Sequence, residues 1–237
     1  MSIIIRSAQT IKTGITLRSA PYSLKLLLEA ANYTGGSVWF DTSGFGNNAQ
    51  LPVYITYVAA MGESYWAFDG TSSYAYFPLP VANDMSWGIW FNTTTALGDH
   101  TGSWFSQPML IGGELPGDTF DMGIAMAQGY IIFGMGQPDT TMVSNNTYND
   151  GVWHYLLITR NTVTGVANIY VDGTLDKTQS SFPTGTRINT SLGIAVNIAD
   201  NQDYWQGNIG QIQAYSVVLP LSQIQYLFNS QRSAYGV

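Results

Sequence analysis

The chain has 237 residues, 45% hydrophobic and 14% aromatic, which is enough apolar material for the core of one large β-sandwich domain. Its net charge is −7 and it contains no Lys/Arg cluster, which argues against nucleic-acid binding. It has no cysteine, no apolar run of the ~18 residues that a transmembrane helix needs, and no signal-peptide-like start, so disulfides, thiolate sites and a membrane span are not expected.

Only 10% of the residues are charged, against ~25% in an average soluble protein. Such a surface must consist mainly of Ser, Thr, Asn, Gln and Gly. Low charge lowers the solubility of a free monomer and favours burial of whole faces in an assembly. The composition therefore favours a subunit of a larger particle, and the alternative is a secreted domain with an uncharged polar surface.

Residues 1–22 carry isoleucine and leucine in loose alternation. They form either an extended arm that needs a partner surface, or an extra edge strand on the sandwich. We place the domain boundary here, with residues 1–22 as an arm or strand and residues 23–237 as the folded domain.

A glycine- and asparagine-rich loop follows a first strand at 24–29. Asp41, Asn47 and Asn48 lie in this loop, and Asp69 lies in a later turn. Their side-chain oxygens are of the type that binds calcium, and calcium is the one metal that they suggest. The alternative is that these side chains only hydrogen-bond their own backbone.

Short segments of β-branched and aromatic residues then predict a series of strands, at 53–58, 65–68, 74–77, 85–92, 109–111, 130–134, 140–144, 153–159, 166–171, 192–196 and 209–215. The strand at 85–92 is apolar on both faces, with Trp90 pointing away from its large neighbours. Residues 93–121 form the longest irregular region and predict a functional or contact loop.

Residues 150–173 predict a β-hairpin in which Asp-Gly pairs bound the two strands, followed by a turn into another strand. After 215 the period of the apolar residues changes. Pro220 followed by Leu221, Ile224, Leu227 and Phe228 predicts a short helix with one apolar face.

Catalytic patterns are absent from the sequence. A retaining glycosidase needs two carboxyl groups about 5 Å apart, which neighbours two or four positions along one strand provide. The three glutamates are far apart, and none has an acidic residue two positions away. His154 follows Trp153 in a strand and is interpreted as a packed or edge histidine rather than a base. We therefore expect no enzyme activity.

Asp203, Tyr204 and Trp205 follow one another on a loop between two predicted strands. If exposed, the two rings would form a platform for stacking on a sugar, beside a carboxylate. The alternative is that these residues belong to the core or to a contact between subunits.

Several of these motifs resemble laminin-G-like domains of the concanavalin A-like lectin/glucanase superfamily, of the kind found in phage virion proteins. The similarity lies in Asp-Gly-x-Trp-His at 150–154, Ile-Tyr-Val-Asp-Gly at 169–173, Phe-Asp-Gly at 68–70 and the ending at 228–236. It implies an all-β fold, a two-sheet antiparallel jelly-roll sandwich with a short C-terminal helix. Many members carry an acidic residue where this chain has Gly210, which weakens the expectation of a metal site.

The resemblance and the low charge lead to a first hypothesis, a non-enzymatic phage virion protein that decorates or cements the capsid. Its partners would be the major capsid protein or tail proteins and further copies of itself. The alternative is a lectin-like module of a phage tail or fibre that binds host-surface glycans. A glycan-active enzyme is the third hypothesis. No cofactor is expected apart from calcium.

Overall fold

A computed structural model describes residues 23–52, 55–59, 64–117 and 119–237. The arm expected at 1–22 and part of the strand expected at 53–58 lie outside the described residues. The described chain forms two antiparallel sheets and one short α-helix, which confirms the jelly-roll sandwich. No helix in these ranges is long and apolar enough to cross a membrane.

The strands are, in chain order, β1 (Leu24–Glu29), β2 (Val38–Trp39), β3 (Ala49–Gln50), β4 (Thr56–Val58), β5 (Tyr65–Asp69), β6 (Ala75–Pro78), β7 (Met85–Asn92), β8 (Met109–Gly113), β9 (Met122–Ala127), β10 (Tyr130–Met135), β11 (Thr140–Thr147), β12 (Trp153–Arg160), β13 (Ala167–Val171), β14 (Thr174–Gln179), β15 (Ser191–Ile194) and β16 (Gln206–Tyr215). Sheet A has the order β14-β13-β12-β7-β16-β5-β4, with β1 also paired to β16. Sheet B has the order β11-β10-β9-β8-β15-β6-β3-β2.

Strand β7 lies at the centre of sheet A and shows how the sequence pattern produces the layers. Trp87, Ile89 and Phe91 point into the core between the sheets. Trp90 points to the opposite face, as predicted, because successive side chains of a strand alternate. Both faces of β7 are therefore buried, one by sheet B and one by the C-terminal segment.

The predicted helix is α1 (Leu221–Gln231), and it covers the outer face of sheet A. Ile224 and Leu227 are its buried residues and pack near Trp90. Tyr235, just after the helix, stacks on Trp90 with ring centroids 4.2 Å apart. A Cβ on Gly210 would lie 2.4 Å from the Tyr235 ring, so the close packing of Tyr235 requires glycine at this position.

The predicted hairpin is formed by β12 and β13, which pair from Leu156 opposite Val171 to Arg160 opposite Ala167. Asp172 and Gly173 both have positive φ, at 51° and 74°, as a tight turn into β14 requires. The Asp172 amide also donates to the Tyr155 carbonyl at 3.0 Å, which extends the β12–β13 pairing by one residue up to the turn.

A row of glycines crosses sheet B and shapes its outer face. Gly134, Gly123, Gly112 and Gly193 are register partners on four adjacent strands, and the row ends at Tyr76 on β6. A Cβ on Gly134 would lie 1.8 Å from Cγ of Trp104, and a Cβ on Gly112 would lie 2.1 Å from the Val196 carbonyl oxygen. The glycines thus make a trough that the chain's own loops fill.

Two segments fill this trough. The predicted long loop folds back over β9 and β10, where fully buried Trp104 packs with Met109, Ala125 and Ile132. The segment after β15 covers β8 and β15 through the Val196 carbonyl. Among the described residues, the part of the row that stays exposed is its end at Tyr76.

Candidate functional site

The candidate site is a cleft of about 300 Å³ at the open end of the glycine row. It lies beside β6, between the end of β8, the start of β15 and the segment after β15. Its walls include Tyr76, Glu114, Leu115, Thr190, Ser191 and Ile198. We call it the Tyr76 cleft.

Tyr76 provides the aromatic surface of the cleft. Its neighbours Ala75 and Phe77 are in the core, so alternation along β6 directs the Tyr76 ring outward. The residue is 37% exposed. A half-exposed tyrosine offers an apolar face and a hydroxyl, which together suit a ligand that is apolar on one side and polar at its edge.

Glu114 provides the carboxylate of the cleft. It follows β8 directly, and its Oε2 accepts a hydrogen bond from Asn197 Nδ2 at 3.2 Å. Burial raises the pKa of Glu114, and the charges of Asp121, Asp200 and Asp139 raise it further, while the Asn197 hydrogen bond acts against the rise. The carboxylate therefore sits in a negative environment.

Asn197 is fully buried and holds Glu114 from behind. Its backbone is fixed on both sides, since its amide donates to Gln202 and its carbonyl accepts from Asn201. Its Oδ1 has no hydrogen-bond partner among the described residues. The side chain is thus a rigid support with an unused acceptor.

A second layer of polar residues holds the loop after Glu114. Asp121 accepts from the Leu115 amide at 2.7 Å and from the Thr119 hydroxyl at 3.1 Å. Arg187 donates to the Asp121 carbonyl at 2.8 Å. Burial raises the pKa of Asp121 and lowers that of Arg187 to about 10. These hydrogen bonds fix the loop that forms this wall of the cleft, although the loop is not part of a strand.

The residues predicted as a stacking platform do not form one. Trp205 has 0% exposure and belongs to the core, with its ring 6.4 Å from that of Phe91, so the expectation of an exposed indole is wrong. Its amide pairs with the Ala195 carbonyl, which turns the loop inward. Tyr204 is partly exposed and lies edge-on to Tyr74, with ring centroids 6.3 Å apart.

Asp203, next to these rings, has a structural role in the described chain. It adopts a left-handed φ of 55°, and its carbonyl accepts from the Met109 amide at 2.8 Å. Burial, with a smaller contribution from Asp200, raises the pKa of its carboxyl to about 6. The sequence analysis therefore named Asp203, an acid with a raised pKa, but it did not locate the Tyr76 cleft.

The residues predicted for calcium bond to backbone groups of their own loops and, for Asp41 and Asn47, of the neighbouring strand β1, where the Asn47 side chain donates to the Lys25 carbonyl. Asp41 accepts from the amides of Leu27, Ser43 and Asn47, each at 2.9 Å. The Asn48 side chain accepts from the Asp41 amide. This is the backbone-bonding alternative stated above.

Asp69 behaves in the same way. Its Oδ1 accepts from the amides of Thr71, Ser72 and Ser73 at 2.8–3.0 Å. These bonds hold its pKa far below the usual range against the opposing effect of burial. Within the described ranges no group of three or more His, Asp or Glu side chains is placed to hold a metal.

His154 lies between the two aspartates of the hairpin. Its Nδ1 is 2.8 Å from Asp172 and its Nε2 is 3.2 Å from Asp150. Burial lowers the pKa of His154, but the hydrogen bonds and charges of the two aspartates outweigh it, and the pKa is raised. This is the packed histidine that the sequence predicted, clamped at the end of β12.

Residues 68–225 match the Laminin_G_3 family, described as the concanavalin A-like lectin/glucanases superfamily. The chain belongs to this family. A comparison with curated protein sequences finds no significant match. The match spans β6 to the first residues of α1 and therefore includes the Tyr76 cleft.

Solved structures share the fold of this laminin-G-like chain. They include the binding domain of Paraclostridial Mosquitocidal Protein 1, with a TM-score of 0.68 and 14% identity over 89% of this chain and 52% of that one. A structure of botulinum neurotoxin type C, whose cell entry depends on two ganglioside molecules, has a TM-score of 0.68, 16% identity and the same coverage.

The binding domain of botulinum neurotoxin DC in complex with SialylT gives a TM-score of 0.68 and 15% identity, over 90% of this chain and 52% of that one. The laminin-G-like chain spans about half the length of these proteins. At these identities the likeness establishes the fold.

Proposed function

We propose that this chain is a non-enzymatic, lectin-like module that binds carbohydrate in the Tyr76 cleft. The observation that carries the proposal is the exposed Tyr76 ring beside a held carboxylate, Glu114, and two hydroxyl-bearing residues, Thr190 and Ser191. Sugars present an apolar ring face and a polar edge, so an aromatic face bordered by hydrogen-bonding groups is complementary to them.

The comparisons support this proposal over a virion role. The similar structures are binding domains, and two of them concern gangliosides or SialylT. The family description also includes lectins. Carbohydrate binding is thus the simplest function that fits both the shared fold and the cleft.

The lining of the cleft supports binding rather than hydrolysis. Among the described residues that line it, Glu114 is the one carboxylate. Glycoside hydrolysis needs a pair of carboxyl groups on opposite sides of the scissile bond. Asp121 is buried, with 2% exposure, and does not line the cleft, so it does not supply the second group.

The test is an array of immobilised glycans probed with the purified chain and with Tyr76→Ala. Loss of a central aromatic contact costs about 2 kcal/mol or more, roughly a thirtyfold loss of affinity. Tyr226→Ala is the matched control, because Tyr226 is 39% exposed on helix α1, away from the cleft. Equal loss in both variants, or binding unchanged in Tyr76→Ala, would contradict the site.

A structural role in a phage virion is the second candidate function, and it is favoured by the low proportion of charged residues, 10%. In this proposal the uncharged faces contact capsid or tail proteins and residues 1–22 form the attachment. Deleting residues 1–22 should then abolish incorporation into particles and leave the domain folded. Normal incorporation of the truncated chain would remove the arm from the proposal.

A further inference from the structure

None of the lysines and arginines of the described chain lines the Tyr76 cleft, although buried Arg187 lies behind its wall, on the Asp121 carbonyl. Five of the eight lysines and arginines fall in the described ranges. Lys25 lies over the Phe45 ring, Lys177 contacts Asn145, and Arg232 binds the last carbonyl of the chain. The two buried arginines, Arg160 and Arg187, donate to backbone carbonyls. None of the five can neutralise an anion in the cleft.

The charge around the cleft is negative instead. Glu114 lines the wall, and Asp121, Asp139 and Asp200 are close enough to affect its ionisation. The whole chain carries a net charge of −7. Like charges at short range in a partly buried site repel an anionic ligand strongly.

The polar atoms without a partner behind the cleft wall are acceptors. The Oδ1 atoms of buried Asn197 and Asn189 have no partner in the described chain, and their Nδ2 atoms are committed to Glu114 and to the Gly113 carbonyl. The Glu114 carboxylate itself only accepts when ionised. Glu114 therefore favours a ligand that brings a donor to it, as a sugar hydroxyl does, whereas a carboxylate or sulfate brings acceptors.

We propose that the Tyr76 cleft selects uncharged saccharides, and that Glu114 is the residue that excludes anionic ones. This inference rests on the proposed function. Glu114 accepts a hydrogen bond from a hydroxyl group of an uncharged sugar and repels a sialic acid or sulfate at the same place. Asn197 is a positioning residue, since it holds the carboxylate at the cleft wall.

The test uses matched pairs of glycans that share one core and differ only in a terminal sialic acid, such as lactose and 3′-sialyllactose, on one array. The wild-type chain should bind the uncharged member of a recognised pair at least about tenfold more tightly, a difference of ~1.4 kcal/mol. Glu114→Gln should reduce this preference to less than about threefold while keeping the Asn197 contact, because glutamine has the same shape and can accept from Asn197 Nδ2.

Glu29→Gln is the matched control. Glu29 is also half-buried with a pKa raised by burial, but it lines a different pocket beside Tyr235. The preference for the uncharged glycan should be unchanged in this variant.

An amino-sugar core, in which an ammonium replaces a hydroxyl or acetamide, tests whether the selection extends to cations. Tighter binding of the amino sugar than of the uncharged sugar would show that the cleft selects a cationic ligand, and it would overturn the proposal.

The outcomes separate this inference from the proposed function. Binding of sialylated members as tightly as, or more tightly than, their uncharged partners overturns the inference and leaves carbohydrate binding standing. A preference that survives Glu114→Gln overturns the role of Glu114. No binding to any glycan overturns the proposed function, and the inference with it.

Discussion

The contact between Trp104 and the glycine row predicts a strong energetic coupling between two residues on different segments. Trp104 is fully buried on the outer face of sheet B, and a Cβ added at Gly134 would lie 1.8 Å from its Cγ and 2.3 Å from its Cβ. Gly134→Ala should therefore force the Trp104 loop away and cost about 1–3 kcal/mol, as overpacking does. When Gly134→Ala and Trp104→Ala are combined, their effects on the free energy of unfolding should not be additive.

The magnitudes follow from the packing. Trp104→Ala should cost about 3–5 kcal/mol, the range for removing a buried large aromatic side chain. Its indole Nε1 has no hydrogen-bond partner in the described chain, so the loss is one of packing. In the Trp104→Ala background the contacts of the added methyl group with Cγ and Cδ2 of residue 104 are removed, but its contact with the Cβ of residue 104 remains and still requires a shift. The double variant should therefore be more stable than the sum of the single effects by roughly 1 kcal/mol.

The assay is urea unfolding of the wild type, both single variants and the double variant, followed by circular dichroism. Gly193→Ala is the control, because its added Cβ would lie 2.4 Å from the Val196 carbonyl oxygen, which Trp104→Ala leaves in place. Its cost should be the same with and without Trp104. Additivity of Gly134→Ala and Trp104→Ala within about 0.5 kcal/mol would refute the reasoning.

Two further predictions concern single positions. Asp203→Asn should stabilise the chain above pH 6 by about 1 kcal/mol, after a discount for its partial exposure, and leave it unchanged below pH 4. The sign follows because burial raises the folded-state pKa from 3.8 to about 6, so the ionised acid destabilises the fold as pH rises through that range, and asparagine tolerates the same left-handed backbone. Urea unfolding at pH 4 and pH 7 checks this, and equal effects at both would contradict it. Gly210→Asp should cost about 1–3 kcal/mol or more, because the Cβ of the introduced aspartate would meet the Tyr235 ring at 2.4 Å. A thermal melting curve unaffected by the substitution would show that Tyr235 is not seated there.

The local pattern of the sequence was sufficient for the hairpin and the helix. The run of β-branched and aromatic residues in β12, the alternation in β13, the Asp-Gly turn at 172–173 and the 3.6-residue period after Pro220 are each properties of a short segment, and the structure confirms all four. The strand β9 was not predicted. It contains two alanines, two methionines and a glycine, which are poor in β propensity, and it is a strand because β8 and β10 pair with it on both sides.

What the sequence by itself determined is therefore the fold class and the segments that alternate or turn, because these depend on neighbours within a few residues. Only the tertiary structure decided which aromatic residue is available to a ligand. Trp205 and Tyr76 are both aromatic residues near turns in the sequence, but pairing of its loop with Ala195 turns Trp205 into the core, while the alternation of β6 at the open end of the glycine row leaves Tyr76 outside. Alternation in β6 separates Tyr76 from Ala75 and Phe77, but whether the outer face of that strand is covered depends on segments distant in the chain.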